Sequence, residues 1–185
     1  MIKLLIATRN PGKFLQIKAQ LQDLHLEIVS LNECSVDDSS LIEDGSTFAE
    51  NSLKKARFYA LATGLNTLAD DSGIIVEALG DQLGVKTHRW GLGEKGSDQA
   101  WVDYFLKRME SETNRNAQFV CHACLVDGKG AILAQTEGIV QGIITKTLEA
   151  PLIPGLPLSS CFKPIGSEKV FAAMNKEEKA RYSHR

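Results

Sequence analysis

The spacing of apolar positions along the chain changes several times, and each change marks an element. The opening run Ile2–Ala7 is unbroken, stops at Thr8-Arg9-Asn10-Pro11-Gly12-Lys13, and resumes as Phe14, Ile17, Leu21 and Leu24 on one helical face. Strand, loop and helix are expected in that order. A polar, acidic stretch from Asn32 to Gly45 follows. Thr47 and Glu50 have the spacing of a capping box, so a second helix starts there, runs through Ala-rich sequence to about Ala62 and ends at Gly64. Asp70-Asp71-Ser72-Gly73 then reads as a turn between the strand segments Thr67–Ala69 and Ile74–Val76.

Further along, a glycine-punctuated loop from Gly80 to Gly96 precedes a helix over Asp98–Met109, where Trp101, Phe105 and Met109 recur every four residues and define one buried face. The stretch Gln118–Ile144 reads as a hairpin, with Asp127-Gly128-Lys129-Gly130 as its turn. Pro, Gly and Ser between Pro151 and Pro164 mark a long loop, and Glu168–Tyr182 is expected to form a short final helix. Neither repeats nor a linker interrupt the pattern. The order of runs points to one α/β domain over residues 1–185.

Composition narrows the function classes. Hydrophobic residues make up 43% and charged residues 24%, which suits a folded globular chain rather than a disordered one. A net charge of -2 supplies no basic field for tracking a nucleic-acid backbone, so a bound nucleotide is expected to be a small molecule. No apolar run approaches the roughly 20 residues that span a bilayer, and the opening run is too short for a signal peptide, so no membrane partner and a cytoplasmic home are expected. Four scattered cysteines do not make a disulfide framework. Cys121 and Cys124 have metal-pair spacing, but they lie in an apolar run that reads as a strand, where residues three apart face opposite sides, so a structural role is expected.

Three places could carry chemistry. The Thr8–Lys13 loop sits at a strand–helix junction, where backbone N–H groups and the helix dipole favour an anion; Lys13 adds a charge, and Thr8 and Asn10 add short donors. It is not a Walker A loop, because the spaced glycines and the Ser or Thr after the lysine are missing. The adjacent carboxylates Asp70 and Asp71 suit a hard cation such as Mg2+, which prefers oxygen and is commonly held by one or two carboxylates together with substrate phosphates. Glu43 lies in the acidic approach to the second helix, on which Asn51 and Lys55 sit one turn apart. Read singly, these are also an Asn-Pro turn, a solvated tight turn and surface charges.

Together and in chain order, the motifs are more specific: Thr-x-Asn-x-x-Lys, Glu-x-Gly-x-Thr-Phe-x-Glu-Asn-x-x-x-Lys-Ala, Ala-Asp-Asp-Ser-Gly, Glu-Gly-x-x-x-Gly-x-Ile and a closing Glu-Glu-Lys-x-x-x-Ser-His-Arg. With this set, from Thr8 to Arg185, the chain resembles the inosine triphosphate pyrophosphatase family. The resemblance implies a long twisted mixed β-sheet flanked by helices, in two lobes with a central nucleotide cleft. It implies Mg2+-dependent hydrolysis of non-canonical purine triphosphates (ITP, XTP, dITP) to the monophosphate and pyrophosphate, by a homodimer. Thr8, Asn10, Lys13 and Lys55 would hold the triphosphate, and Ser72 would contact substrate. Glu43, Asp70 and Asp71 would place the metal, with Asp71 as general base. Lys179, Ser183, His184 and Arg185 match the segment that reads the 6-oxo purine.

Two departures bear on the base. Gly155-Leu156-Pro157-Leu158-Ser159-Ser160-Cys161-Phe162 stands where the family carries Gly-Phe-Gly-Tyr-Asp-Pro-x-Phe, so the stacking aromatic and the base-reading aspartate are replaced. Loss of a stacking platform costs about 1–3 kcal/mol unless another ring replaces it, and Trp90 is a candidate. The segment Gly84–Trp90 also replaces the Ser-Ala pair of the usual Gly-x-Tyr-Ser-Ala-Arg-Tyr pattern. The chain stops at Arg185 where relatives continue, so a monomer is the alternative to the dimer. The alternatives for function are the same chemistry on a pyrimidine or modified nucleotide, and a catalytically weak nucleotide-binding regulator.

Overall fold

The computed structural model describes residues 1–92 and 96–185. Six strands, β1 (Ile2–Ile6), β2 (Leu26–Ser30), β3 (Asn66–Val76), β4 (Asn116–Val126), β5 (Ile132–Ile144) and β6 (Phe162–Pro164), form one mixed sheet in the order β2-β1-β3-β4-β5-β6. β1 pairs parallel with β2 (Leu4↔Ile28) and with β3 (Ile6↔Leu68), whereas β5 and β6 run antiparallel. Helices α1 (Pro11–Gln20), α2 (Phe48–Thr63), α3 (Asp98–Arg108) and α4 (Lys176–Tyr182) flank it, giving the expected α/β class. Among the described residues, no helix is long and apolar enough to cross a membrane.

Capping chemistry sets the helix ends. Thr47 accepts from the Glu50 backbone N–H while the Glu50 carboxylate returns to the Thr47 N–H, and Gly64 closes α2 in the left-handed conformation at φ +72°. Asn10 caps α1 through Lys13 N–H, and Pro11 at the first helical position loses a donor that would have been orphaned anyway. Helix α1 stops at Gln20, so Leu21 is its C-cap and Leu24 lies beyond it, exposed.

Several expectations are corrected. The Asp70–Gly73 turn does not exist: β3 runs through it, past the end of its pairing with β1 at Leu68 and beside β4 in the sheet, and neighbouring cations neutralise the carboxylate that is buried. The short strand β2 was not anticipated. The glycine-rich loop contains two 3-10 segments, Glu77–Gln82 and Gly84–Arg89, while residues 93–95 of that loop lie outside the described residues. The expected 151–164 loop contains a 3-10 turn, Pro157–Ser160, and β6. The final helix is confined to Lys176–Tyr182, capped by Asn175 and Glu178.

The chain divides into two compact units, the first comprising Met1–Ser72, Cys121–Gly138 and Arg185, and the second Gly73–Val120 and Ile139–His184. In the first, Leu5, Leu31, Ala56, Tyr59 and Val126 form a core between strands and α2. In the second, Trp101, Phe105 and Met109 bury the expected face of α3 against Phe162 and Phe171. Each fully buried large apolar side chain contributes about 1.5–3 kcal/mol.

The 127–131 turn abuts the end of α2, and a Cβ on Gly128 would overlap the Gly64 carbonyl oxygen, which is backbone and cannot swing aside. Gly128→Ala is therefore expected to cost about 1–3 kcal/mol, read as a lowered melting temperature in scanning calorimetry. An unshifted melting temperature would mean that the turn moves freely away from α2.

Candidate active site

The first unit gathers the phosphate-loop residues, both candidate carboxylates, Glu43, Lys55 and Arg185. Past the end of β1, Ala7 N–H still donates to Leu68 O, so the chain leaves the sheet only at Thr8. Thr8 Oγ1 accepts from Asn10 N–H at 3.2 Å, and Asn10 Oδ1 accepts from Lys13 N–H at 3.0 Å. These two bonds fold the loop so that Lys13 projects from the first turn of α1. Its ammonium meets Asp70 Oδ2 at 3.1 Å.

Asp70 is the hub of the arrangement. Its side chain is 2% exposed, and Oδ2 faces Lys13, the Ser72 hydroxyl at 3.1 Å, the Arg185 guanidinium at 3.6 Å and the Cys121 thiol at 3.9 Å. The Asp70 carbonyl oxygen accepts from Lys55 Nζ at 3.1 Å. Burial alone would raise the Asp70 carboxyl, but Lys13, Arg185 and Lys55 outweigh it and hold the group far below the usual carboxylate range. Arg185 is fixed besides by Ser72 Oγ and Gln16 Oε1, both accepting at 2.8 Å. Burial, and then the Asp70 charge, push the Cys121 thiol up to about 12, so it stays a neutral S–H.

Asp71 has the opposite environment. Burial raises its carboxyl above the ordinary value and Glu43 adds to the shift, while Lys55, Lys13 and the hydrogen bond from Asn51 only partly offset it. Asn51 Nδ2 donates to Asp71 Oδ2 at 3.1 Å, and Asn51 Oδ1 accepts from Gly45 N–H at 2.7 Å. One buried amide thus ties the acidic segment to the carboxylate. Lys55 pairs with Glu43 at 2.7 Å. Burial disfavours the Lys55 charge, but Glu43, Asp70 and Asp71 prevail and raise its proton affinity. Asp70 and Asp71, adjacent in sequence, are thus separated in character: one is a permanent anion and the other a carboxylate that binds a proton more readily than usual.

Lys179 and His184 belong to the second unit. His184 is buried and stacks on Phe119 with centroids 5.0 Å apart and planes 10° from parallel. Lys179 lies on α4, and its N–H donates to Asn175 O within the cap. Leu158, Ser160, Cys161 and Phe162 of the altered loop are buried, and Ser160 Oγ donates to Pro151 O. Trp90 makes edge contacts with Trp101, Tyr104 and Phe105 and accepts at its carbonyl from Trp101 Nε1.

Two polar partners escaped the sequence reading. Gln16 and Cys121 converge on the Arg185–Asp70 pair from α1 and β4, and no local spacing links them to it. All four cysteines are free; Cys124 lies in the core of the first unit, whereas Cys121 faces Asp70.

The model of the Ham1 family matches residues 4–185. A dITP/XTP pyrophosphatase of Thermus thermophilus is 40% identical over 187 residues, covering 100% of this chain and 86% of the relative. One of Streptomyces avermitilis is 38% identical over 191 residues, covering 100% and 92%. Among solved structures, a HAM1 protein from Coxiella burnetii superposes with a TM-score of 0.82 at 30% identity, covering 100% of this chain and 93% of the other. The Staphylococcus aureus Ham1 protein gives 0.78 at 31%, covering 99% and 92%. The resemblance carried by the motifs therefore extends over the whole sequence and the whole fold, and this chain belongs to the Ham1 family.

Proposed function

We propose that this chain hydrolyses a nucleoside triphosphate to the monophosphate and pyrophosphate, with dITP, XTP and ITP as its substrates and Mg2+ as its metal. The observation that carries the reading is the pairing of a proton-seeking carboxylate, Asp71, with the half-buried cations Lys13, Lys55 and Arg185 in one unit. The relatives' names supply the substrate class.

The residues fit a hydrated divalent ion. Asp70 Oδ1 is buried and, among the described residues, has no hydrogen-bond partner, the kind of acceptor that a cation's hydration shell satisfies. Among the described residues, no group of three or more His, Cys, Asp or Glu side chains is arranged for a metal, which suits an ion that takes one or two carboxylates and completes its shell with water and phosphate. Glu43 and Asp71 would hold it, and Asp70 Oδ1 would accept from its hydration water. When bound, Mg2+ screens the charge that builds on the phosphate oxygens.

Lys13 and Lys55, with the Thr8–Asn10 loop, neutralise and orient the triphosphate. Asp71 takes a proton from water as the water oxygen bonds to the α-phosphorus, and the bond from that phosphorus to the bridging oxygen breaks, releasing pyrophosphate. In-line displacement of this kind needs little beyond positioning and electrostatics. Ser72 would contact the substrate and Arg185 would add positive charge. Lys179 and His184 would donate to a 6-keto oxygen and disfavour adenine, whose amino group would meet another donor.

The altered loop favours a second reading of the base alone. Leu158–Phe162 are buried and no residue of the loop before Phe162 is aromatic, so the same phosphoryl chemistry with a wider range of bases is the alternative.

Pyrophosphate release from ITP, XTP, dITP, GTP, ATP, UTP and dTTP decides between them. Preference for the first three by about 10²-fold supports the purine assignment, while even turnover supports the wider range. Tight binding with no hydrolysis of any of the seven would overturn the enzymatic reading.

A further inference from the structure

Between Cys34 and Thr47, the segment that carries Glu43 has neither helix nor strand, so its placement rests on side chains that pin it. Its later end is held by α2: Gly45 N–H donates to Asn51 Oδ1, and the Ser46 and Thr47 N–H groups donate to Glu50. Its earlier end is held at Asp38. Asp38 Oδ2 accepts from Arg9 Nε at 2.7 Å and from the Tyr59 hydroxyl at 2.7 Å, and Arg9 Nη2 also reaches Val36 O at 3.4 Å. Leu41 N–H donates to Asp38 O, which turns the chain toward Glu43. Arg9 is part of the phosphate loop, between Thr8 and Asn10, and Tyr59 is one helical turn beyond Lys55 on α2, 3% exposed.

We propose that Asp38 is a positioning residue for the phosphate and metal groups: its carboxylate buckles the Glu43 segment to the phosphate loop and to α2. Three stretches, the Arg9 loop, the Glu43 segment and helix α2, each carrying a group assigned above to phosphate or metal, meet on one oxygen atom. The Arg9 and Tyr59 hydrogen bonds hold the Asp38 carboxyl below the usual range. Burial, and then Asp38, push the Tyr59 hydroxyl up, so it remains the donor. The role assigned to Glu43 rests on the function proposed above, whereas the buckle itself can be read without turnover.

The test compares the wild type with Asp38→Ala, with the milder Tyr59→Phe, and with the charge exchange Arg9→Asp/Asp38→Arg. Amide hydrogen exchange is followed in the nucleotide-free protein, and the Mg2+ concentration for half-maximal turnover is measured alongside. Asp38→Ala is expected to speed exchange at 36–46 selectively and to raise the Mg2+ requirement about tenfold, the scale of one charge-assisted hydrogen bond. At saturating metal, kcat should stay within about threefold; Tyr59→Phe should give a smaller effect in the same direction, and the charge exchange should recover most of the loss. Unchanged exchange at 36–46, uniformly faster exchange throughout, or an unchanged Mg2+ requirement would each overturn the proposal. If the wild type hydrolyses no triphosphate, the functional reading fails, while exchange at 36–46 still decides the buckle.

Discussion

Asp71→Asn is expected to lower kcat by about 10²–10⁴-fold, the range for loss of a general base, while leaving the metal-free protein at least as stable as the wild type at neutral pH. Asparagine can still accept from Asn51 Nδ2 through its own carbonyl, so the link between β3 and α2 survives. Removing the charge also removes a cost. The folded-state carboxyl of Asp71 lies above its ordinary value of 3.8, chiefly through burial, so the folded protein holds that proton more tightly than the unfolded chain does. Stability associated with Asp71 is therefore present at acid pH and is lost as pH rises from the ordinary value through the raised one. The variant escapes that loss. Turnover in the wild type should fall on the acid side as Asp71 takes up its proton, and pyrophosphate release with melting curves between about pH 4 and pH 8 reads both effects. A kcat within tenfold of the wild type would remove Asp71 from the role of base, and a clearly lowered melting temperature would contradict the cost assigned to its buried charge.

The neighbouring residue should behave in the reverse way. Asp70→Ala is expected to destabilise the protein by about 3–5 kcal/mol, because it leaves Lys13 and Arg185 buried without their shared counter-ion. Lys13 and Arg185 are only 18% and 8% exposed at their side chains, so solvent gives little screening. The folded-state carboxyl of Asp70 is depressed, so its contribution is fully present above the ordinary value of 3.8 and is lost as pH falls below it, toward the depressed folded-state value. Chemical denaturation of the wild type, Asp70→Ala and Asp70→Asn near pH 7 and near pH 3 separates charge from shape. Asparagine restores the acceptor for Ser72 without the charge and should fall between the other two. Equal stability of Asp70→Ala and wild type at neutral pH would mean that the cations are held apart by other groups.

The two aspartates also show where local sequence stops being informative. Asp-Asp-Ser-Gly has the composition of a turn, and nothing within a few residues of it says otherwise. The strand continues there because β4 lies alongside β3 in the sheet and because Lys13, Lys55 and Arg185 arrive from α1, α2 and the last residue to neutralise the buried charge. Those are long-range facts. Strand β2 was missed for a related reason: five residues with Glu27 among them make too short a run to stand out, and the strand gains its place by pairing with β1.

The boundaries of α2 and α3 were legible because their causes are local. Thr47, Glu50 and Gly64 satisfy orphaned backbone groups within a few residues, and Trp101, Phe105 and Met109 repeat at the period of the helix that buries them. The candidate site residues could be named from motif order, which also placed Glu43, Lys55, Asp70 and Asp71 in one chemistry. The resemblance implied Asp71 as the base, but the opposite electrostatic characters of Asp70 and Asp71 could not be read there, since they depend on which oxygen faces which cation. Arg185 is the clearest case, matched by motif to the base-reading segment and found on Ser72, Gln16 and Asp70.

The central claim is that water attacks the α-phosphorus, so that pyrophosphate leaves intact. A turnover of dITP or XTP in water enriched in oxygen-18, with the products resolved by mass spectrometry, tests this most directly. The account predicts one solvent oxygen in the nucleoside monophosphate and none in pyrophosphate. Label in the pyrophosphate, or release of orthophosphate in its place, would contradict it.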